Sequence, residues 1–238
     1  MTTKIKDTIK RVFRGYFLRR RIRRQLSMVG PGGELRLILG GHWAEQAGWL
    51  VLTEAELDIT KKLDIPDNSV DVIFMEHVIE HVSFMDGVNF VREARRVLKP
   101  GGVLRLVFPA LERVLGSRFD SGFGAEYFAA LRPSMAAEEE SFRSLGFDGL
   151  AQFPREFFLN AIFTGYGHKF IWSAAMMAKV MSAAGFGSAS VRAIGQGTRE
   201  GYCIERRRRG IYRGNDQAED RRPGCIYDAE SLAVEGVK

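Results

Sequence analysis

Apolar residues enter this chain as short runs. After the break Gly30–Pro31–Gly32–Gly33 comes Leu35–Leu39, closed by Gly40–Gly41. Trp49–Leu52 and Val70–Phe74 come next, the latter entered through the turn residues Pro66–Asp67–Asn68–Ser69. Runs this short, rich in Val, Ile and Leu and bounded by Gly, Pro and Asn, predict buried strands. From Val82 to Leu98 the spacing changes. Phe84, Val88, Val91, Ala94 and Val97 recur at helical intervals until Lys99–Pro100–Gly101–Gly102 stops the helix. Val103–Phe108 is a further strand, closed by Pro109. Such alternation predicts an α/β fold, with a mostly parallel twisted sheet and helices on both faces.

Residues 110–165 leave that rhythm. They are helical in pattern and dense in aromatics, among them Phe142, Phe147, Phe153, Phe157 and Phe158. A helical insertion directly after a strand end is expected, either as a lid that shapes a pocket or as the core of a small subdomain. Alternation then resumes. Ser173 can cap a helix to about Ala184, ended by Gly185, and Ser190–Ile194 and Ser231–Val237 supply strands. No internal repeat is visible. In open parallel sheets ligands bind outside the carboxyl ends of the strands. The stretches to inspect are therefore 40–43, 53–58, 75–77 and 109–112.

Charge divides the chain further. Lys and Arg outnumber Asp and Glu by 35 to 29, yet residues 1–24 hold ten of the basic residues against Asp7 alone. The rest of the chain is therefore mildly acidic. Within the arm Ile5, Ile9, Val12, Phe13, Tyr16, Phe17 and Ile22 recur at near-helical spacing. Residues 1–28 thus read as a basic amphipathic helix preceding a domain over 29–238. Its stripe can lie on the body, or on an anionic membrane surface, since arginines beside an apolar face suit both. A second cluster, Arg206–Arg209, sits in a polar loop or hairpin over about 199–229, and four adjacent arginines alone do not make a nucleic-acid site. With 45% apolar residues the chain is not disordered. Cys203 and Cys225 alone do not make a disulfide scaffold, and no apolar stretch is long enough for a membrane span. The expectation is a cytoplasmic protein, peripheral to the membrane at most.

The run from Leu63 to Phe74, then Glu76–His77–Val78–Ile79–Glu80–His81, then the stretch from Val97 through Lys99–Pro100–Gly101–Gly102 to Val107, resembles the class I S-adenosylmethionine-dependent methyltransferases. It is most similar to a small bacterial branch with a glycine turn after the first strand and a Gly–Trp pair, here Gly40 and Gly48–Trp49. His168–Lys169, Gly185–Phe186 and the closing 231–238 resemble that branch too. The resemblance implies a Rossmann-like methyltransferase fold and S-adenosylmethionine as cofactor. It also implies methyl transfer to oxygen or nitrogen of a small molecule or glycan.

Carried over position by position, Gly40 and Gly41 stand for the cofactor loop, and Asp58 for the acid facing the adenine, with Ile59 beside it as an apolar contact. Glu54 takes the place of the acid for the ribose hydroxyls by a one-residue shift. Glu76 and His77 line the reacting side, His77 as a base because imidazole titrates near neutrality. Three positions depart from the pattern: Ile38 replaces an acid, His42 a glycine and Thr53 the ribose-binding acid. These losses keep open a second reading, a catalytically inactive scaffold docking on membrane or polyanion through its arm. A remoter reading takes His77, Glu80 and His81 as the H-x-x-E-H zinc motif of a hydrolase. The methyltransferase reading assigns no metal ligand.

Overall fold

Six strands form one sheet in the order β2-β1-β3-β4-β6-β5, where β1 is Arg36–Leu39, β2 Leu50–Leu52, β3 Val70–Glu76, β4 Leu98–Pro109, β5 Ser188–Arg192 and β6 Ser231–Val237. The computed structural model describes residues 16–18, 20–22, 24–25, 27, 33–40, 46–116, 129, 135–205 and 230–238. β1 is parallel to β2 and β3, and β3 to β4, while β6 runs antiparallel to both β4 and β5. The mostly parallel sheet is the one the alternation predicts.

Successive side chains of the central strands enter opposite layers, as the pleat requires. Leu37, Leu39, Ile73, Met75, Leu104 and Leu106 join the larger core, with Phe90 and Ala94 of helix α1 (Phe84–Val97). The later helices are α2 (Leu111–Leu115), α3 (Ala136–Ser144), α4 (Pro154–Thr164) and α5 (Ala174–Ala183). Met177 and Met181 of α5 reach the same layer. Ile38, Val72, Phe74, Val103 and Val107 face the other way, toward Trp49, Tyr202 and Ile204. In the insertion, Val114, Phe158 and Ile162 make a third, separate core.

Local signals explain the element ends. The Ser83 side chain caps α1 by accepting from Asp86 N, and that of Ser173 caps α5 by accepting from Met176 N. Gly87, a poor helix former, stays in α1 because a Cβ there would come within 2.7 Å of the buried Trp172 ring. Lys99–Gly102 does not separate α1 from the next strand. It lies inside β4 as an irregularity, with Val70 opposite Leu98 but Val72 opposite Val103. Gly101, at φ +77°, supplies the backbone bend. β5 begins two residues before Ser190, since Gly185, at φ +92°, turns the chain out of α5 almost directly into the sheet.

Residues between 16 and 27 that are described are helical, and Leu18 and Ile22 are buried in the larger core. Arg21 donates to Val51 O at 3.0 Å and pairs with Glu56, while Tyr16 and Phe17 are exposed. This part of the arm thus meets the body through Leu18 and Ile22, while Tyr16 and Phe17 of the expected stripe face solvent. Residues 1–15, the clusters at 41–45 and 206–229, and most of 117–134 lie outside the described residues. No described helix is long and apolar enough to cross a membrane. Arg105 of β4 is fully buried, donating to Glu205, to Glu235 of β6 at 2.7 Å and to Gln196 O at 2.9 Å. Two carboxylates around one guanidinium thereby clamp the 196–205 segment onto the sheet.

Candidate active site

β1 has β2 on one side and β3 on the other, so the strand order reverses between β1 and β3. The crevice outside the carboxyl ends of these two strands is where such sheets bind ligands. Each parallel strand lends this crevice the residues just beyond its last position. Because β6 is antiparallel, it contributes its beginning instead: Ser231 lies opposite Pro109.

At the exit of β1, Gly40 has φ +73° and its N–H donates to Leu52 O at 2.9 Å. A Cβ at this position would sit 2.6 Å from Val78 Cγ1. The space the missing side chain leaves is thus used by Val78, which ties the exits of β1 and β3 together. Gly41 and His42 lie outside the described residues.

After β2 the chain makes a tight turn, in which Thr53 N and Oγ1 donate to Glu56 Oε2 at 3.0 and 3.2 Å. Glu54 is exposed on this turn. Asp58 accepts from Lys61 Nζ at 2.8 Å, from Thr60 Oγ1 at 2.7 Å and from Thr60 N at 3.0 Å. The Lys61 and Thr60 hydrogen bonds hold its carboxyl down to about 2, against the opposing effect of burial. Ile59 is 8% exposed and belongs to the larger core.

The exit of β3 is the densest part of the site. Glu76 is 8% exposed. His77 adopts φ +52° and its N–H donates to Val107 O at 2.9 Å, which directs the chain back across the sheet edge. Its Nδ1 lies 3.3 Å from Glu80 Oε1 and its Nε2 lies 3.1 Å from Ser231 Oγ. Burial opposes a charge on this ring, but the hydrogen bond and charge of Glu80, with Glu230 and Glu76 behind it, hold its pKa above the ordinary value.

The zinc-hydrolase reading requires His77 and His81 on one face of a helix. Instead, Ile79–His81 is a single 3-10 turn and His77, just past the end of β3, lies in the left-handed region. His81 packs against His168, their ring centroids 4.9 Å apart. The H-x-x-E-H helix does not form, because the first histidine leaves β3 in the left-handed region and a 3-10 turn supplies the second.

The structure brings Gly40, Glu76 and His77 to one edge, with Glu54 and Asp58 on the turn leaving the neighbouring strand. It adds Ser231 and Glu230, for which spacing carried no signal, since Ser231 stands 154 positions from His77. A cleft lined by Phe142, Phe147, Phe153, Phe157, Glu156 and Asn160 lies within the insertion and shares no residue with this edge.

The strand order, parallel from β2 through β4 and closed by the antiparallel β6, defines a Rossmann-like α/β fold. Residues 42–106 match the family described as "Methyltransferase domain", a stretch that carries β2, β3, α1 and most of β4. The match agrees with the resemblance to class I S-adenosylmethionine-dependent methyltransferases carried by residues 63–107. No curated protein matches the chain. Solved structures with a similar chain path include a SAM-dependent methyltransferase from Thermotoga maritima, at 18% identity over 80% of this chain and 63% of that one, TM-score 0.40. Another, from Archaeoglobus fulgidus, has 12% identity over 94% of each chain and TM-score 0.43. A third, phosphoethanolamine N-methyltransferase 2 of Haemonchus contortus, has 16% identity over 90% of this chain and 51% of that one, TM-score 0.41. The chain thus spans less than two thirds of the first and third of these proteins.

Proposed function

We propose that the chain is an S-adenosylmethionine-dependent methyltransferase acting on oxygen or nitrogen of a small molecule or glycan. The observation that carries this reading is the meeting of Gly40, Glu76 and His77 where the strand order reverses, two of the three within the stretch matched by the methyltransferase family. The charge of the residues present supports this reading. Glu76, Glu80 and Glu230, all buried, gather at one strand exit and suit a cation. Glu54 stands exposed after β2 for a ribose diol, and Asp58 is an ionised acceptor a few residues on. Gly40 and Gly41 would hold the amino-acid head, and Ile59 backs the turn from within the core.

Bound S-adenosylmethionine supplies an electrophilic methyl group on a sulfonium. The protein's part is then positioning and proton removal. Glu80 at Nδ1 orients the His77 ring and selects the tautomer whose Nε2 carries the lone pair. That Nε2 is the atom that takes the proton an acceptor hydroxyl or amine releases, with the Ser231 hydroxyl as its neighbour.

Calorimetry with S-adenosylhomocysteine tests the reading. One binding site is expected, weakened in Glu54→Ala and Asp58→Ala; absence of binding to the full chain overturns it.

A further inference from the structure

Glu80 is fully buried, and its Oε2 has no hydrogen-bond partner among the described residues. A carboxylate oxygen shut away from water without a donor is costly unless a cation compensates it. His77 reaches only Oε1, at 3.3 Å. On the other side stand two imidazoles, His81 from the 3-10 turn and His168 from the loop between α4 and α5. A donor atom of each of Glu80, His81 and His168 lies within 4.8 Å of donor atoms of the other two. The loop is anchored against this turn, since Lys169 N and Phe170 N both donate to Glu80 O, at 2.7 and 3.2 Å.

His168 is prepared for coordination. Its Nδ1 lies 2.5 Å from Ile162 O, so the proton sits on Nδ1, which donates to the carbonyl, and Nε2 keeps the lone pair. A backbone carbonyl fixing the tautomer from behind is the support that metal-bound histidines have. His81 and His168 are partly exposed, which leaves a path for an ion to enter.

We propose that Glu80, His81 and His168 bind one divalent transition cation, with a fourth coordination position open. Two imidazoles and one carboxylate are a donor set suited to zinc, and three protein ligands are what open zinc sites use. Tetrahedral zinc would draw the donors to about 3.4 Å from one another. The site differs from the H-x-x-E-H reading in its third ligand: His168 replaces His77, whose Nδ1 stays 3.3 Å from Glu80 Oε1 on the outside.

The test is titration of the full chain with cobalt(II), read by visible d–d absorption and displaced by zinc. One equivalent is expected, with affinity lowered about tenfold or more in His81→Gln and His168→Gln, losses at least as large as those for supporting residues. His77→Ala should keep the cobalt band. If a histidine variant fails to fold, zinc should still raise the unfolding temperature of the unaltered protein, through its preference for the folded state. The proposal fails if the unaltered chain shows neither the band nor the thermal shift. It fails equally if both His81→Gln and His168→Gln bind as tightly as the parent. S-adenosylhomocysteine binding by His168→Gln, measured in parallel, stays intact and keeps this result separate from that for the cofactor.

Discussion

Ser231 Oγ lies 3.1 Å from Nε2 of His77, and the two residues stand 154 positions apart. β6 places the serine there by running antiparallel between β4 and β5, so that its first residue meets the strand exits. With Glu80 on the opposite nitrogen, the imidazole is held from both sides.

Replacing the ring should therefore separate chemistry from binding. His77→Gln is expected to lower kcat by roughly 10²–10⁴-fold, the usual weight of a positioned base. Affinity for S-adenosylhomocysteine should change little. Ser231→Ala keeps the base but loosens it, so a smaller fall in kcat is expected. Single-turnover methyl transfer and calorimetry on the same variants check both.

Gly87→Ala sets propensity against packing. In an exposed helix the change would stabilise by about 1 kcal/mol. Here the new methyl meets Trp172 at 2.7 Å, and that ring is fully buried beneath Phe84 and Phe170. Net destabilisation of about 1–3 kcal/mol is expected from overpacking, measured by urea unfolding.

The buried Arg105 cluster gives a second stability test. Arg105→Met alone strands Glu205 and Glu235, both almost fully buried, and should cost about 3–5 kcal/mol. Adding Glu205→Leu and Glu235→Leu removes the stranded charges, and much of the loss should return. Unfolding of the single and triple variants in urea distinguishes the two outcomes.

Asp58 predicts a pH response with a definite sign. Its folded-state pKa is depressed to about 2 by Lys61 and Thr60. Its contribution to stability is therefore complete above the ordinary carboxylate range and disappears as pH falls through about 2. Carboxyl-carbon NMR titration should find this group still ionised at pH 3, and Asp58→Asn should flatten that part of the acid-stability curve.

Much of the fold could be read from spacing. Short apolar runs bounded by turn residues located β1, β2 and β3, and the helical period located α1 and α5, because burial on a sheet or helix face imposes such patterns on nearby residues. Where local chemistry was ambiguous the reading slipped. Lys99–Gly102 carries every mark of a loop, yet pairing across Val70 and Val72 draws it into β4 as an irregular stretch. His77–His81 matches a helical metal motif letter for letter, yet the strand before it continues to Glu76 and only a 3-10 turn comes after.

Alternation and the residues after each strand were enough to place Gly40, Glu76 and His77 at one edge, since Gly40 follows β1 and the other two stand at the end of its neighbour β3. The chain order said nothing of Ser231 beside His77, of His168 beside His81, or of the three carboxylates around one imidazole. Those meetings arise from the reversed direction of β6 and from the loop that folds back onto Glu80. They are contacts between distant segments, made by sheet pairing and core packing, and no local period records them.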